Sequence, residues 1–308
     1  MNLNKPAVRR FFAMMREREA LRVRKESGTP WPWTDDPILR SYKFTNVKRT
    51  DDRTTRLLLR DFYDVGGRRS IYYSGNERDQ RRVVLLNCAI ARYFGTHEFM
   101  TAVGWQDRFD PTLLKRTARQ RLDAGERVYT GAYMISPCNR TGPKEAVIVD
   151  IFLKDLWRQA GSVVDWLERG EGRWKDVHTR LTEVEGFGGT GFMAKEVLLD
   201  TRLVHRFWPH GAPTDRYTWT PIGPGSSRGA GRMLGDDGGR AVSPAVTLDV
   251  CRQLFAMRKD HLPTDYSKGN RFYDMELHDI QFQLCEFSKY EKVRLGQGRP
   301  RSIYRRPE

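Results

Sequence analysis

Cysteine is scarce in this chain. There are four among 308 residues (Cys88, Cys138, Cys251 and Cys285), and none forms a CxxC pair. That spacing excludes a zinc ribbon or a cluster motif and points to reduced thiols. No apolar run reaches the roughly eighteen residues that a membrane helix needs, so no membrane partner is expected. The first 25 residues are basic and have no apolar core, which argues against a secretory leader. No GxxxxGK[ST] loop is present, so the chain is not expected to be a P-loop kinase itself. Internal repeats are missing and strand patterns are few.

What is abundant is positive charge. Fifty-four Lys and Arg stand against 39 Asp and Glu, a net charge of +15. Such an excess suits a polyanion, above all nucleic acid. Both ends are enriched: residues 1–26 hold eight basic and three acidic groups, and residues 289–308 hold seven and two. Eight Trp, twelve Tyr and fifteen Phe argue for a packed interior rather than disorder.

Helical periodicity dominates, and the fold class is expected to be mainly α with few short strands and long loops. Helices are expected over 6–26, 51–62, 77–94, 111–124, 144–168 (interrupted near Gly161), 176–184, 192–200, 245–261 and 274–290. Residues 127–135 read as a short strand or an extended loop. Residues 209–243, rich in Gly, Pro and Ser, read as a long irregular excursion.

Four motifs carry candidate chemistry. In LTEVEGFGGTGFMAKEVLLD, two short helices flank a glycine turn of Gly186, Gly188, Gly189 and Gly191, with Lys195 and Asp200 downstream. Glycine lets a backbone approach a phosphate, and the following helix start favours anions. This pattern looks like the helix-hairpin-helix of DNA glycosylases, although a plain αα-hairpin fits it too. In FTNVKRTDDR, Asn46, Lys48, Arg49 and Asp52 crowd ahead of a helix; they can hold a phosphate and a base edge, or cap the helix. In DMELHDIQFQLCEF, Glu276, His278 and Asp279 surround one histidine with carboxylates, an arrangement suited to a general base or to an ordinary polar helix face. Lys289, Arg294, Arg299 and Arg301 follow as a basic wrap. In TPIGPGSSRGAGRML, small residues surround Arg228 and Arg232.

As a set, these four stretches resemble the phage thymine-hypermodification proteins first described as alpha-glutamyl/putrescinyl thymine pyrophosphorylases. Their characterised members are amino acid:DNA transferases, and a related helical domain accompanies 5-hydroxymethyluracil DNA kinases. The resemblance covers roughly residues 38–301. It implies a glycosylase-like helical fold and a double-stranded DNA substrate containing 5-phosphomethyluracil. The implied reaction replaces that phosphate by the amine of a free amino acid such as glycine. It further implies action in the cytoplasm of an infected host and protection of viral DNA from restriction, with no cofactor and no metal.

On that reading Lys48, Arg49, Arg228 and Lys195 hold the phosphate, with Asn46 and Asp52 beside them. Asp200, Glu276, His278 and Asp279 are candidates for the base, and the hairpin glycines with Lys289, Arg294 and Arg299 grip DNA. Cys285 could alternatively add to C6 of the uracil. Gln281 departs from the family pattern, where an acidic or amide pair often stands. The expected organisation is a basic N-terminal helix and connector (1–37), a helical catalytic domain (38–300) with the hairpin near 176–200, and a basic tail (301–308).

Overall fold

The computed structural model describes residues 2–63, 75–131, 133–263, 271–300 and 302–304. The fold is mainly α. Among the described residues, β pairing is confined to one antiparallel bridge between Tyr42 and Ile303. No helix among them is long and apolar enough to cross a membrane. The chain folds as two compact units, Met1–Asp52 with Tyr217–Glu308, and Arg53–Arg216. The N-terminal helix therefore shares a unit with the C-terminal helices, a grouping different from a contiguous body over 38–300. Of the tail expected at 301–308, only 302–304 fall within the described residues, and Arg301 lies outside them.

The first unit holds α1 (Lys5–Glu26), α2 (Pro37–Ser41), a 3-10 turn at Arg49–Asp51, α11 (Pro224–Met233), α12 (Pro244–His261) and α13 (Leu277–Arg294). Asn4 caps α1 by accepting from the Ala7 amide at 3.0 Å, and Pro6 fits the first turn. Phe11, Phe12 and Met15 of α1 are fully buried in a core shared with Val250, Leu254, Ile280, Leu284 and Phe287. Phe11 meets Phe287 edge-on, with centroids 5.7 Å apart.

The stretch 209–243 contains a helix where the sequence pattern predicts only an irregular excursion. Glycine is a poor helix former, and α11 carries three. Two of them pack against α13, and the third, Gly231, lies against the Arg240 carbonyl. A Cβ at Gly229 would fall onto the Leu284 carbonyl, and one at Gly225 would lie 3.0 Å from Cys285 Sγ. Gly229→Ala is therefore expected to destabilise the chain by about 1–3 kcal/mol, because backbone rather than a movable side chain opposes the methyl. A urea midpoint unchanged by this substitution would contradict that close approach.

The second unit holds α3 (Arg53–Asp61), α4 (Glu77–Phe94), α5 (His97–Val103), α6 (Pro111–Asp123), α7 (Lys144–Ala146), a π-helical stretch Val147–Leu153, α8 (Lys154–Arg169), α9 (Trp174–Leu181) and α10 (Phe192–Thr201). The bounds of α4 coincide with the sequence expectation. Asn76 caps it by accepting from the Asp79 amide at 2.9 Å, and Gly95 ends it in the left-handed region (φ 70°). Every residue from 84 to 94 is buried, because apolar and small residues occupy all faces and α8 and α10 both pack against it.

Gly161 does not interrupt α8. The irregularity falls earlier, in the π-helical stretch, which carries the buried Phe152. Residues 127–131 and 133–135 are loop. On α3, Leu58 is buried, while Leu57 and Leu59 are half-buried.

Candidate functional site

The motif residues of the first unit converge at the start of α13. Glu276 precedes the helix, and its amide donates to Asp279 Oδ2 at 2.9 Å, fixing the first turn. Lys48, brought in from 231 positions away, lies 3.2 Å from the same Asp279 oxygen and 3.1 Å from Asp274 Oδ1. His278 sits between two carboxylates, with Nδ1 3.3 Å from Glu276 Oε2 and Nε2 3.4 Å from Asp279 Oδ1. Burial by itself would raise the Asp279 carboxyl. Lys48, His278 and the Glu276 amide reverse that and hold it below its ordinary value. Burial likewise acts to lower the Lys48 ammonium, and Asp279 and Asp274 outweigh it, so its affinity for a proton rises.

Phe282, one turn on, ties a second cation to this cluster. The Arg49 guanidinium lies 5.9 Å from its ring centroid, and the His278 ring meets it edge-on at 6.2 Å. Arg49 opens the 3-10 turn, and Asn46 steadies that turn by donating to the Asp51 carbonyl at 2.8 Å. Asp52 is exposed just beyond it.

The segment carrying these residues is itself anchored. Gln283 donates to the Val47 carbonyl at 3.1 Å, and Glu286 accepts from the Thr45 amide at 3.2 Å. On a neighbouring face, Gln281 donates to Ser226 Oγ at 2.9 Å, and its amide lies 3.7 Å from Cys285 Sγ. Ser226 on α11 gave no signal in the sequence, because a serine among glycines reads as loop.

Arg228 is exposed on α11. Lys289 and Arg294 pair with carboxylates of their own helix, Glu286 at 2.6 Å and Glu291 at 2.8 Å, and Arg299 is exposed beyond it.

Asp200 belongs to the second unit. It is fully buried, accepting from Tyr63 Oη at 2.7 Å and from Arg92 Nε at 2.6 Å, while Arg92 Nη2 takes its other oxygen. Sequence reasoning missed Tyr63 and Arg92. An arginine near the end of the mostly apolar second half of α4 is the one signal that a buried carboxylate was waiting for it. Lys195, also buried there, has Nζ 3.7 Å from Glu196 Oε1.

The hairpin glycines divide into two kinds. Gly188 and Gly189 are exposed at the tip, whereas Gly186 and Gly191 face their own unit. Gly186 lies against Phe152, and its carbonyl accepts from Tyr93 Oη at 2.8 Å. Gly191 has φ of 65°, and a Cβ there would stand 2.7 Å from His178 Cε1. The backbone at the tip is thus accessible, while substitution of Gly191 strikes the packing of the turn.

His178 fixes that turn, its Nε2 lying 3.1 Å from the Gly191 carbonyl. Burial lowers its pKa to about 4, against the opposing pull of that carbonyl. The unfolded chain, with histidine near 6.5, then binds the proton first. Stability is unaffected by this group above about pH 6.5, falls as pH drops towards about 4, and levels off below. The loss is expected to be on the order of 2 kcal/mol after allowing for partial exposure of the ring. Urea midpoints compared between pH 7 and pH 4 check this, since His178→Phe should flatten the difference. An equal acid loss in the variant would assign the effect elsewhere.

Two comparisons place the chain among known proteins. A family model described as "5-hmdU DNA kinase, helical domain" matches residues 5–299. A protein of Bacillus phage SP10 named 5-hmdU DNA kinase is 26% identical over 309 aligned positions, covering 91% of this chain. The chain spans 44% of that relative's length. No solved structure matches. With nearly its whole length matched, the chain belongs to the family of the 5-hmdU DNA kinase helical domain.

Proposed function

We propose that the protein is an amino acid:DNA transferase of thymine hypermodification. It replaces the phosphate of 5-phosphomethyl-deoxyuridine in phage DNA by the amine of an amino acid, glycine in the first instance. The observation that carries this reading is the arrangement at the start of α13, where a histidine between two carboxylates and a guanidinium flank one aromatic ring. Displacement at the 5-methylene carbon needs both kinds of group. The incoming ammonium must lose a proton before its nitrogen attacks, and His278, oriented by Glu276 and Asp279, accepts it. As the new C–N bond forms, the C–O bond to phosphate breaks and the phosphate leaves with the electron pair. Arg49 offers the planar fork that receives this charge.

Lys48 is already engaged with Asp274 and Asp279, so its part is to set the carboxylate that orients His278. Arg228, exposed on the helix packed against α13, is the proposed partner of the amino-acid carboxylate. The net charge of +15 supplies general attraction to DNA, and a glycosylase-like extrusion of the base at a cost of a few kcal/mol would bring the 5-methylene group to these residues.

A second reading has one observation in its favour: the matched model describes a helical domain, and the relative is named a kinase of 5-hmdU in DNA. In that reading the chain holds the modified base and performs no transfer. Incubation with 5-phosphomethyl-dU duplex and glycine, digestion to nucleosides and mass spectrometry separate the two. A glycinyl-thymidine product supports transfer. Unchanged DNA with retained binding supports the holding role, and abasic sites would instead reveal a glycosylase.

A further inference from the structure

The connector after α1 and the chain's last described residues build a second aromatic site within the first unit. Backbone pairing zips the two segments together: the Lys43 amide donates to the Ser302 carbonyl and the Tyr304 amide to the Ser41 carbonyl, both at 3.0 Å. Tyr42 and Ile303 form the bridge between them. This seats Tyr304 against Trp31 and Trp33, with ring centroids 6.1 and 6.0 Å away, and the two tryptophans meet edge-on at 5.1 Å.

Cations surround the cluster. Lys25 Nζ lies 5.3 Å from the Trp33 ring and 5.9 Å from that of Tyr304, and Lys43 Nζ lies 5.7 Å from Tyr304. A groove of about 550 Å3 opens here, lined by Trp31, Pro32, Arg40, Tyr42, Ile303 and Tyr304, among others. Arg40 is its charged lining residue, and among the described residues no carboxylate lines it.

An aromatic floor rimmed by cations and lined by no carboxylate is the chemistry that takes a nucleobase on its π face and the adjoining phosphates on its edge. We infer that this groove binds an unpaired nucleotide of a DNA strand, stacked on Trp31, with Arg40 and Lys43 on the flanking phosphates. The volume suits one nucleotide rather than a duplex, and both Arg40 and Ile303 present exposed surface at its edge. The site makes no use of the residues at the start of α13. It rests on DNA being the substrate, and it gives the protein a hold on a strand whose pairing has been opened.

The test uses the full chain and a fluorescein-labelled thymidine oligonucleotide of about twelve residues, a span within the usual range for such sites, with a matched duplex as reference. Anisotropy titrations of Trp31→Ala should show single-strand affinity reduced roughly 5- to 100-fold, the loss of one stacked base. Duplex affinity should stay within about twofold, because phosphate contacts elsewhere carry it. Trp31→Phe, which keeps a stacking face, should recover most of the single-strand binding.

Arg40→Gln lies on the surface and leaves the fold intact. It should lower the salt slope for the oligonucleotide by about 0.7, one phosphate contact's worth. A folded Trp31→Ala that binds the oligonucleotide as tightly as the parent overturns the inference. So does an equal loss on single strand and duplex. If Trp31→Ala does not fold, an unchanged salt slope in Arg40→Gln overturns it alone. The readout is binding of unmodified DNA, so a failure of amino-acid transfer and a failure of this site are told apart.

Discussion

Asp200→Asn is expected to unfold the second unit far more easily than it alters any chemistry. The carboxylate is fully buried, and both its oxygens are taken by Arg92, with Tyr63 sharing one of them. Bringing these charges out of water costs several kcal/mol each, which mutual attraction offsets only while both are present. An asparagine keeps the shape and removes the charge, so the Arg92 guanidinium remains buried with its counter-ion gone. The expected loss is about 3–5 kcal/mol, read as a lower urea midpoint at unchanged slope. Tyr63→Phe removes a single hydrogen bond to the charged group and should cost less, about 1.5–3 kcal/mol.

The triple variant Arg92→Met, Asp200→Leu and Tyr63→Phe should recover much of the loss, because apolar groups of similar volume replace an ion pair that contributed little net stability and no hydroxyl is left without its acceptor. The sequence pattern makes Asp200 a candidate base downstream of the glycine turn, so the experiment also decides between roles. A variant with parental stability and abolished turnover would return Asp200 to the chemistry.

Sequence patterning and structure agree where several local rules point to the same residues. The bounds of α4 were legible because an Asn cap, a continuous apolar run and a terminal glycine all mark the same 18 residues. The helix α11 was not. Glycine argues against helix locally, and only the close approaches of α13 at Gly225 and Gly229 and of the Arg240 carbonyl at Gly231 explain why three of them stand there. Gly161 misled in the opposite sense. Its propensity cost is outweighed by packing, so α8 runs through it.

At the site, the carboxylates around His278 were readable because they are neighbours in sequence. The contribution of Lys48 was not, since pairing across 231 positions leaves no local trace. The same holds for Phe282, an ordinary helix residue until the fold sets Arg49 and His278 against its ring. The hairpin was visible as a glycine pattern, but which glycines face outward depends on Phe152 and His178, neighbours that no spacing rule anticipates.

Arg49→Lys is expected to lower turnover on 5-phosphomethyl-dU DNA by about 2–4 kcal/mol in activation free energy, as for loss of one preorganised anion donor. That corresponds to roughly 30- to 1000-fold in kcat/KM. Lysine keeps the charge but loses the planar fork and the flat face that lies over Phe282 at 5.9 Å. A phosphate contact that strengthens as the C–O bond breaks acts on kcat as well as on KM, so both should change. Affinity for unmodified duplex should barely move, since many of the 54 basic residues share that attraction. His278→Gln is the companion variant. It removes the proton acceptor without removing the anion site, so substrate binding should persist while the rate falls. Normal turnover in Arg49→Lys together with weakened binding to unmodified DNA would make Arg49 a backbone contact. The leaving-group role would then pass to Arg228, the exposed arginine on the helix packed against α13.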